Sequence, residues 1–309
     1  MKLSVIFPET RDLGRVVELA QGCEEAGLHG MWLGSAFGFD PVMALALAGP
    51  HTSRIQLGTS VVPTWPRHPV VMAQQAATAN AACGGRFRLG VGPSHQPVMK
   101  MYGVDFDRPV GHVREYLQIV KTLLRDGQAS FKGERYRVTG FLDVEGGGTP
   151  PVMLAALHEQ MCRTAGALAD AALPWLAPPS YIADAVVPNV AKGAADAGRE
   201  APPVIASVPC VLSTNRDEVI EIVNRDLGIY PRMPFYADTL VRAGVPDADK
   251  GMTDGWTPAM IDAVIPWGDE NQLATAAQAY LDAGADEIVL SPFGGTDTMW
   301  QVLGDIARG

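Results

Sequence analysis

The sequence predicts an α/β fold, specifically a (β/α)8 TIM barrel with a helical insertion between its seventh and eighth strands. Short apolar runs alternate strictly with longer amphipathic segments, and the chain of 309 residues contains eight such pairs. Parallel neighbours need crossover connections, which amphipathic helices supply, and eight units in about 300 residues fit a closed barrel. An open doubly wound sheet is the structural alternative. No interdomain linker or internal repeat is visible, so residues 1–309 are expected to form a single domain.

Each predicted strand is a short apolar run bounded by polar or turn-forming residues. The eight strands are predicted at Leu3–Phe7, Met31–Gly34, Ile55–Val61, Phe87–Val91, Val152–Ala156, Ala171–Trp175, Val204–Leu212 and Glu287–Leu290. Helices are expected over about 13–26, 41–49, 70–82, 109–124, 159–169, 181–197 and 272–283, with one that begins near Thr214-x-x-Asp217 and a last one at the C-terminus. Two segments interrupt the alternation: about 127–150, with a β-hairpin at SFKGERYRV, and about 230–267, which is helical.

The charge balance excludes two classes of partner. The chain has 24 basic and 34 acidic side chains, a formal charge of −10, whereas nucleic acids and anionic membranes require clustered Lys and Arg. The apolar stretches are too short to span a bilayer. The four cysteines form no CxxC pair, and the chain opens on a strand-like LSVIF, so we expect a cytoplasmic protein with reduced cysteines and a small-molecule substrate.

Chemistry in a (β/α)8 barrel is located where strands end and βα loops begin. In Gly90-Val91-Gly92 the third glycine of a dinucleotide-binding fingerprint is replaced by His95, so that motif fails. The sequence has no histidine pair at metal spacing, no GxSxG elbow and no P-loop, and no metal site is expected. The candidate loops are Pro8–Glu9, Ser35–Phe39, Ser60–Pro66, Gly92–Gln96, Ala156–His158, Trp175–Pro178, Ser213–Thr214 and Ser291–Gly294.

Several stretches resemble the luciferase-like monooxygenase superfamily, and its F420-dependent branch most closely. They are LGTSVVPTWPRHP, GGRFRLGVGPSH, RPVGHVREYLQIVKTLL, PPVMLAALHEQMCRTAGALAD and VPNVAKGAADAGR. The resemblance implies an F420-dependent oxidoreductase that transfers a hydride between deazaflavin C5 and a small organic substrate, by reduction of C=C, C=N or C=O or by oxidation of an alcohol. An FMN-dependent monooxygenase of the same superfamily and a non-catalytic flavin- or deazaflavin-binding barrel stay open as alternatives.

The same resemblance assigns residues to the cofactor ring. Members of the superfamily carry a non-prolyl cis peptide at the end of the third strand, which by position falls between Ser60 and Val61. The turn Gly92, Pro93 and Ser94 follows the fourth strand, where a glycine allows the ring to approach the backbone. An ordinary trans strand end is the alternative at the first position.

The resemblance places the cofactor phosphate after the fifth strand, at Ala155, Ala156, Leu157 and His158. Backbone N–H groups at a helix N-terminus lack partners and carry partial positive charge, so they bind anions. Related proteins often have glycines where Leu157 and His158 stand, but main-chain donors do not depend on them. His158 is expected to add a side-chain donor, and a simple helix cap is the alternative.

The predicted site differs from that of many F420-dependent relatives in the residue that would donate a proton. Many F420-dependent relatives carry an Asp-His pair after the second strand, where this chain has Ser35 and Ala36. Asp40 is the nearest carboxylate, although it equally fits a helix N-cap. His95 is therefore the candidate general acid, since imidazole exchanges protons near neutral pH. A hydrogen-bonded structural histidine is the alternative.

Aromatic side chains near the strand ends are candidates for the substrate pocket: Phe37, Trp65, Trp175 and Tyr236, with Tyr181 and Trp256. The segment Tyr230–Trp267 is expected to act as a lid that excludes water from the site. Two helices, Val42–Ala48 and Val70–Ala82, are too apolar for two solvent faces and are predicted to form a homodimer interface.

Overall fold

Eight parallel strands form the centre of the fold in the computed structural model, which describes residues 1–7, 12–35, 37–295 and 299–308. They are β1 (Leu3–Phe7), β2 (Gly30–Leu33), β3 (Gln56–Thr59), β4 (Phe87–Gly92), β5 (Val152–Ala155), β6 (Ala172–Leu173), β7 (Ile205–Leu212) and β8 (Glu287–Phe293). Each predicted strand is present. β6 is shorter than predicted because Pro174 has no N–H to continue the ladder.

The strands form a closed ring. Parallel ladders join them in the order β7, β8, β1, β2, β3, β4, β5, β6. Two further parallel bridges, Ala172 with Val204 and Trp175 with Ser207, connect β6 to β7 and complete the circle. The predicted barrel is therefore confirmed, and the open doubly wound alternative is wrong.

The connecting helices follow the predicted alternation. Their bounds are Leu13–Glu25, Pro41–Ala48, Pro69–Ala82, Gln96–Met101, Pro109–Asp126, Glu159–Leu168, Pro179–Tyr181 continuing through a π-helical turn Ile182–Val186 into Val187–Asp196, Arg216–Leu227, Glu270–Asp282 and Met299–Arg308, with a 3-10 turn at Gly49–His51. The helix after β7 is capped by Asn215, whose side chain accepts from the N–H groups of Asp217 and Glu218, and not by Thr214. Asp40 is a helix N-cap, because its carboxylate accepts from Met43 N at 3.0 Å.

Both interruptions of the alternation have the predicted character. The first is an antiparallel hairpin of Gln128–Lys132 and Arg137–Phe141. The second lies between β7 and β8 and contains the 3-10 turns Tyr230–Arg232 and Ala248–Lys250 and the helices Pro234–Arg242, Gly251–Asp254 and Pro258–Val264. Within the described ranges, no helix combines the length and apolar character that crossing a membrane requires.

The amino-terminal end of the barrel interior is closed by an ionic cluster around Glu287. Its carboxylate, 4% exposed, accepts from Arg88 Nη1 at 2.7 Å and from Ser4 Oγ at 2.6 Å. Arg88 Nη2 also lies 2.9 Å from His29 Nε2. Polar groups at this face of a TIM barrel serve stability and not catalysis.

An apolar layer lies above this cluster in the middle of the barrel. It consists of Ile6, Trp32, Met153, Leu173, Ile205 and Val289, with Ala171 and the partly buried Val61. Trp32 fills the space beside Gly58, where a Cβ would lie 2.4 Å from the indole ring. The interior is thus packed up to this level, and any open space must lie at the carboxyl ends of the strands.

Candidate functional site

A cavity of about 1330 Å³ opens at the carboxyl ends of the barrel strands. It is lined by residues from the loops after β2 to β6 and by the insertion between β7 and β8. The predicted site residues found in its lining are Ser35, Phe37, Ser60, Val61, Pro93, Ser94, His95, Ala155, Ala156, Leu157, His158, Trp175, Tyr181 and Tyr236. The candidate loop Pro8–Glu9 and the position Ala36 lie outside the described residues.

Small side chains form the floor of this cavity. Gly34 and Ala155 line it at the ends of β2 and β5, and Ser207 and Ser291 line it from within β7 and β8. Each lies about two residues beyond the packed apolar layer on its strand, and side chains two apart face the same side of a sheet. The inward positions that would otherwise fill the barrel mouth therefore carry little volume, and a flat ligand has room to rest on the floor.

The peptide bond between Ser60 and Val61 is cis, as predicted for this position, and both residues line the cavity. Gly92 lies beside Ala155 but does not line the cavity. A Cβ there would lie 2.8 Å from Ala155 Cβ and 3.0 Å from Val61 Cγ2. The missing side chain therefore makes room for these two residues, and not directly for a ligand as expected from the sequence.

One end of the cavity meets the N-terminus of the helix Glu159–Leu168. His158 is its N-cap residue but makes no side-chain capping hydrogen bond. Glu159, Gln160 and Met161 of the first turn line the cavity. The backbone N–H groups of a first turn have no intrahelical partner, so this end of the cavity suits an anion. The acidic Glu159 is paired with Arg163 at 2.7 Å.

The side chain of His158 is directed at the insertion and not only at this helix end. Its Nε2 lies 2.8 Å from Thr239 Oγ1, and its ring stacks on Phe235 with centroids 4.0 Å apart. Burial lowers the pKa of His158, although nearby Asp238 opposes the shift. The expected second donor to an anion is therefore engaged by the insertion, which sequence spacing did not reveal.

His95 faces the same cavity from the loop after β4. It precedes a short helix, Gln96–Met101, that was not predicted from the sequence. Its ring lies 5.5 Å from that of Tyr236, and its imidazole makes no hydrogen bond to any residue that the structure describes. Burial lowers the pKa of His95, so the imidazole is neutral at pH 7. A neutral imidazole accepts a proton more readily than it donates one.

An aromatic wall runs from His95 across the insertion to β6. Tyr236 contacts Tyr230 with centroids 4.9 Å apart, and Tyr230 contacts Trp175 at 6.0 Å. Burial raises the pKa of both tyrosines, so both hydroxyls stay protonated. Phe37 lies at the mouth, 66% exposed. The insertion therefore supplies one wall of the cavity, as expected of a lid segment.

Two predicted pocket aromatics lie elsewhere. Trp65 does not line the cavity; its indole is stacked on His112, with centroids 3.6 Å apart and an interplanar angle of 4°. The guanidinium of Arg135 lies 5.3 Å from the Trp65 ring. Trp256 is buried, does not line the cavity, and donates from Nε1 to Leu227 O at 2.8 Å. The orientation of each indole is set by its contact with a segment distant in sequence, His112 for Trp65 and Leu227 for Trp256.

Other residues that line the cavity were not predicted from the sequence. Ser207 and Ser291 are single polar residues inside apolar strands, IASVPCVL and EIVLSPF, and that irregularity was the available signal. Arg242 and Asn189 also line the cavity near the anion-binding end. Asp40, considered as a carboxylate for the site, instead pairs with Arg67 at 2.6 Å. Among the described residues, no three His, Cys, Asp or Glu side chains are grouped as metal ligands.

Comparison with known proteins gives the same architecture. Residues 1–287 match the family described as luciferase-like monooxygenase. The chain is 24% identical to 5,10-methylenetetrahydromethanopterin reductase of Methanopyrus kandleri over 314 residues, or 91% of this chain and 89% of that protein. Its structure is similar to that of an F420-dependent secondary alcohol dehydrogenase in complex with an F420-acetone adduct (TM-score 0.82, 16% identity, 99% and 97% of the two chains). It is also similar to EDTA monooxygenase from Chelativorans sp. BNC1 (TM-score 0.80, 17% identity, 100% and 94%).

Proposed function

Because this chain belongs to the luciferase-like monooxygenase family, we propose that it is an F420-dependent oxidoreductase that acts on a small organic substrate. The observation that carries the proposal is the cavity at the barrel mouth. It combines small side chains at Gly34 and Ala155, which leave room for a flat ring, with a helix N-terminus at one end, which suits the phosphate joined to that ring.

The dimensions of the cavity fit a cofactor and a substrate together. Pockets for one drug-sized ligand usually have volumes of about 300–1,000 Å³, and this one is larger. The anion-binding end at Gln160 would hold the phosphate, and Ser60, Val61 and Ala155 would face the ring. Ser35 and the turn Pro93 and Ser94 would complete this side.

The chain's own contribution to the chemistry is a proton acceptor in a dry site. A bound deazaflavin supplies or accepts a hydride at C5. Neutral His95 would take the hydroxyl proton of an alcohol substrate during oxidation and return it in the opposite direction. Tyr230 and Tyr236 exclude water without competing for this proton, because their pKa values are raised by burial. The structure thus favours His95 as a base, where the sequence suggested an acid.

An FMN-dependent monooxygenase is the second candidate, supported by the similarity to EDTA monooxygenase. Titration of the purified protein with F420 and with FMN, followed by absorbance and fluorescence, separates the two. We expect tighter binding of F420. A preference for FMN would contradict the first assignment.

A charge variant tests where the cofactor phosphate binds. Gln160→Glu adds a negative charge of nearly equal shape at the helix N-terminus, so we expect weaker binding of F420. Gln301→Glu, on the exposed face of the last helix, is the matched control. Equal affinities of both variants and the unchanged protein would show that the phosphate binds elsewhere.

Histidine variants separate chemistry from binding. We expect His95→Ala to lower kcat by about 10²–10⁴ and to change F420 affinity only a few-fold. His158→Ala should weaken F420 binding more than turnover, because it loosens the helix end and its contact with Thr239. The lowered pKa of His95 keeps its base form below pH 6.5, so alcohol oxidation should persist there. A reversed pattern would make His95 a binding residue.

We propose that the chain forms a homodimer through an exposed apolar face. Met43 and Leu47, 62% and 55% exposed, lie one turn apart on the helix Pro41–Ala48. Val71 and Phe141 extend the face across the next helix and the hairpin. A second copy would cover it, with at least about 1,000 Å² buried in total.

Light scattering tests the dimer at micromolar concentration. Met43→Glu should give a monomer, since it places a charge in the contact. Met252→Glu, at an exposed methionine on the helix Gly251–Asp254, is the control and should stay dimeric. A monomeric mass for the unchanged protein would contradict the proposal.

A further inference from the structure

The join that closes the barrel places two hydrogen-bond donors side by side. Trp175 and Ser207 are partners in the parallel bridge between β6 and β7. Leu173 and Ile205, two residues earlier on these strands, belong to the inward-facing apolar layer. Since side chains two apart on a strand share a face, Trp175 and Ser207 face inward as well, and both line the cavity.

Neither donor has an acceptor among the residues that the structure describes. Ser207 is only 3% exposed, yet its Oγ makes no hydrogen bond, and neither does the buried Nε1 of Trp175. The Tyr230 hydroxyl is near enough to the indole for its pKa to respond, but the geometry is not that of a hydrogen bond. Buried polar groups in native proteins are rarely left unpaired, so the pair indicates a ligand atom.

The chemistry of the two groups restricts that atom. An indole N–H can only donate, and a serine hydroxyl donates or accepts. Both can satisfy one atom only if it has two lone pairs. A carbonyl or alcohol oxygen has two, an imine nitrogen has one, and an alkene carbon has none.

We propose that Trp175 and Ser207 form a two-donor site for the oxygen of a small ketone or alcohol substrate. This inference rests on the proposed function and narrows its substrate class to C=O reduction and alcohol oxidation. The apolar surroundings, with Leu173 and Tyr230 in the lining, suit a hydrocarbon body on that oxygen. His95 lies at the other end of the same aromatic wall, so a hydroxyl proton that leaves this oxygen would reach His95 along the hydroxyl groups of Tyr230 and Tyr236.

The test compares two ligands of equal shape that differ in the acceptor. Cyclohexanone carries a carbonyl oxygen, and methylenecyclohexane carries a CH2 group in its place. Their dissociation constants are measured by saturation-transfer NMR on the protein incubated with F420, for the unchanged protein and for Ser207→Ala, Trp175→Phe and the control Ser130→Ala. Ser130 lies on the exposed hairpin. Far-ultraviolet circular dichroism checks that each variant is folded.

We expect each site variant to weaken cyclohexanone binding roughly two- to tenfold, the usual effect of losing one neutral hydrogen bond. Methylenecyclohexane should bind all four proteins alike. Parallel losses for both ligands, or cyclohexanone binding that is absent or unchanged throughout, would overturn the proposal. The F420 affinity of the same proteins is measured separately. If F420 fails to bind while the ketone still depends on Ser207, the cofactor assignment fails and the donor pair stands.

Discussion

Acid should destabilise this protein in part through one buried histidine, His112. Its side chain is almost fully buried, with the residue 2% exposed. Its Nε2 lies 2.9 Å from Thr64 Oγ1, and its ring is stacked on Trp65. Burial, with a smaller contribution from Arg135, lowers the pKa of His112 from 6.5 to about 4, against the opposing effect of Glu115.

The difference between the pKa of His112 in the unfolded and folded chain determines how much stability is lost in acid and over which pH range. In the unfolded chain His112 takes up a proton below pH 6.5, whereas in the folded chain it stays neutral down to about pH 4. Its contribution to stability is therefore complete above pH 6.5 and is lost as the pH falls towards 4. Linkage gives a loss of about 2 kcal/mol between pH 7 and pH 5.

The assay is urea unfolding of the unchanged protein and of His112→Gln at pH 7, 6 and 5. Glutamine keeps a hydrogen-bonding group near Thr64 but does not titrate. The variant should be less stable at pH 7, and its deficit should shrink by about 2 kcal/mol at pH 5. All other histidines are common to both proteins, so their contributions cancel. Parallel pH profiles would refute the assigned pKa.

The ionic cluster and two glycines allow further predictions. Arg88→Met should lower the free energy of unfolding, measured with urea, by about 3–5 kcal/mol, because the buried Glu287 carboxylate loses its cation. The double variant Arg88→Met, Glu287→Gln should recover most of this free energy, because it removes the buried charge as well. Gly90→Ala should cost about 1–3 kcal/mol or more in the same assay, since its Cβ would lie 2.0 Å from Thr59 O. Gly111→Ala, in open space on a helix, should instead raise the melting temperature slightly, and a decrease would contradict this account.

The barrel was predictable because its pattern is local. Each strand buries a short apolar run, each helix buries one face, and their order alone implies parallel pairing. The short helix Gln96–Met101 was not predicted, because a segment of this length that contains a proline shows no apolar periodicity. Thr214 was preferred to Asn215 as a cap because both are good caps and spacing alone did not separate them.

The site was only partly predictable because its geometry depends on distant contacts. Ser60, Ala156 and His95 were found because strand ends meet at one face of the barrel. Ser207 could not be recognised as part of a donor pair from the sequence, because its neighbour Trp175 is brought beside it only when β6 and β7 close the barrel. His158 is engaged by Thr239, a residue of an insertion whose docking no motif encodes.

The contact between His158 and the helix Pro234–Arg242 connects two regions of the cavity. His158 is the N-cap residue of the helix at the proposed anion-binding end, and its side chain contacts Thr239 and Phe235 of the insertion that forms the aromatic wall. If occupation of the anion-binding end strengthens this contact, it raises affinity for whatever the wall encloses by some factor. The enclosed molecule must then raise affinity for the anion by the same factor. Ligands at the two ends of this barrel mouth would therefore bind cooperatively, with a coupling free energy that His158→Ala would abolish.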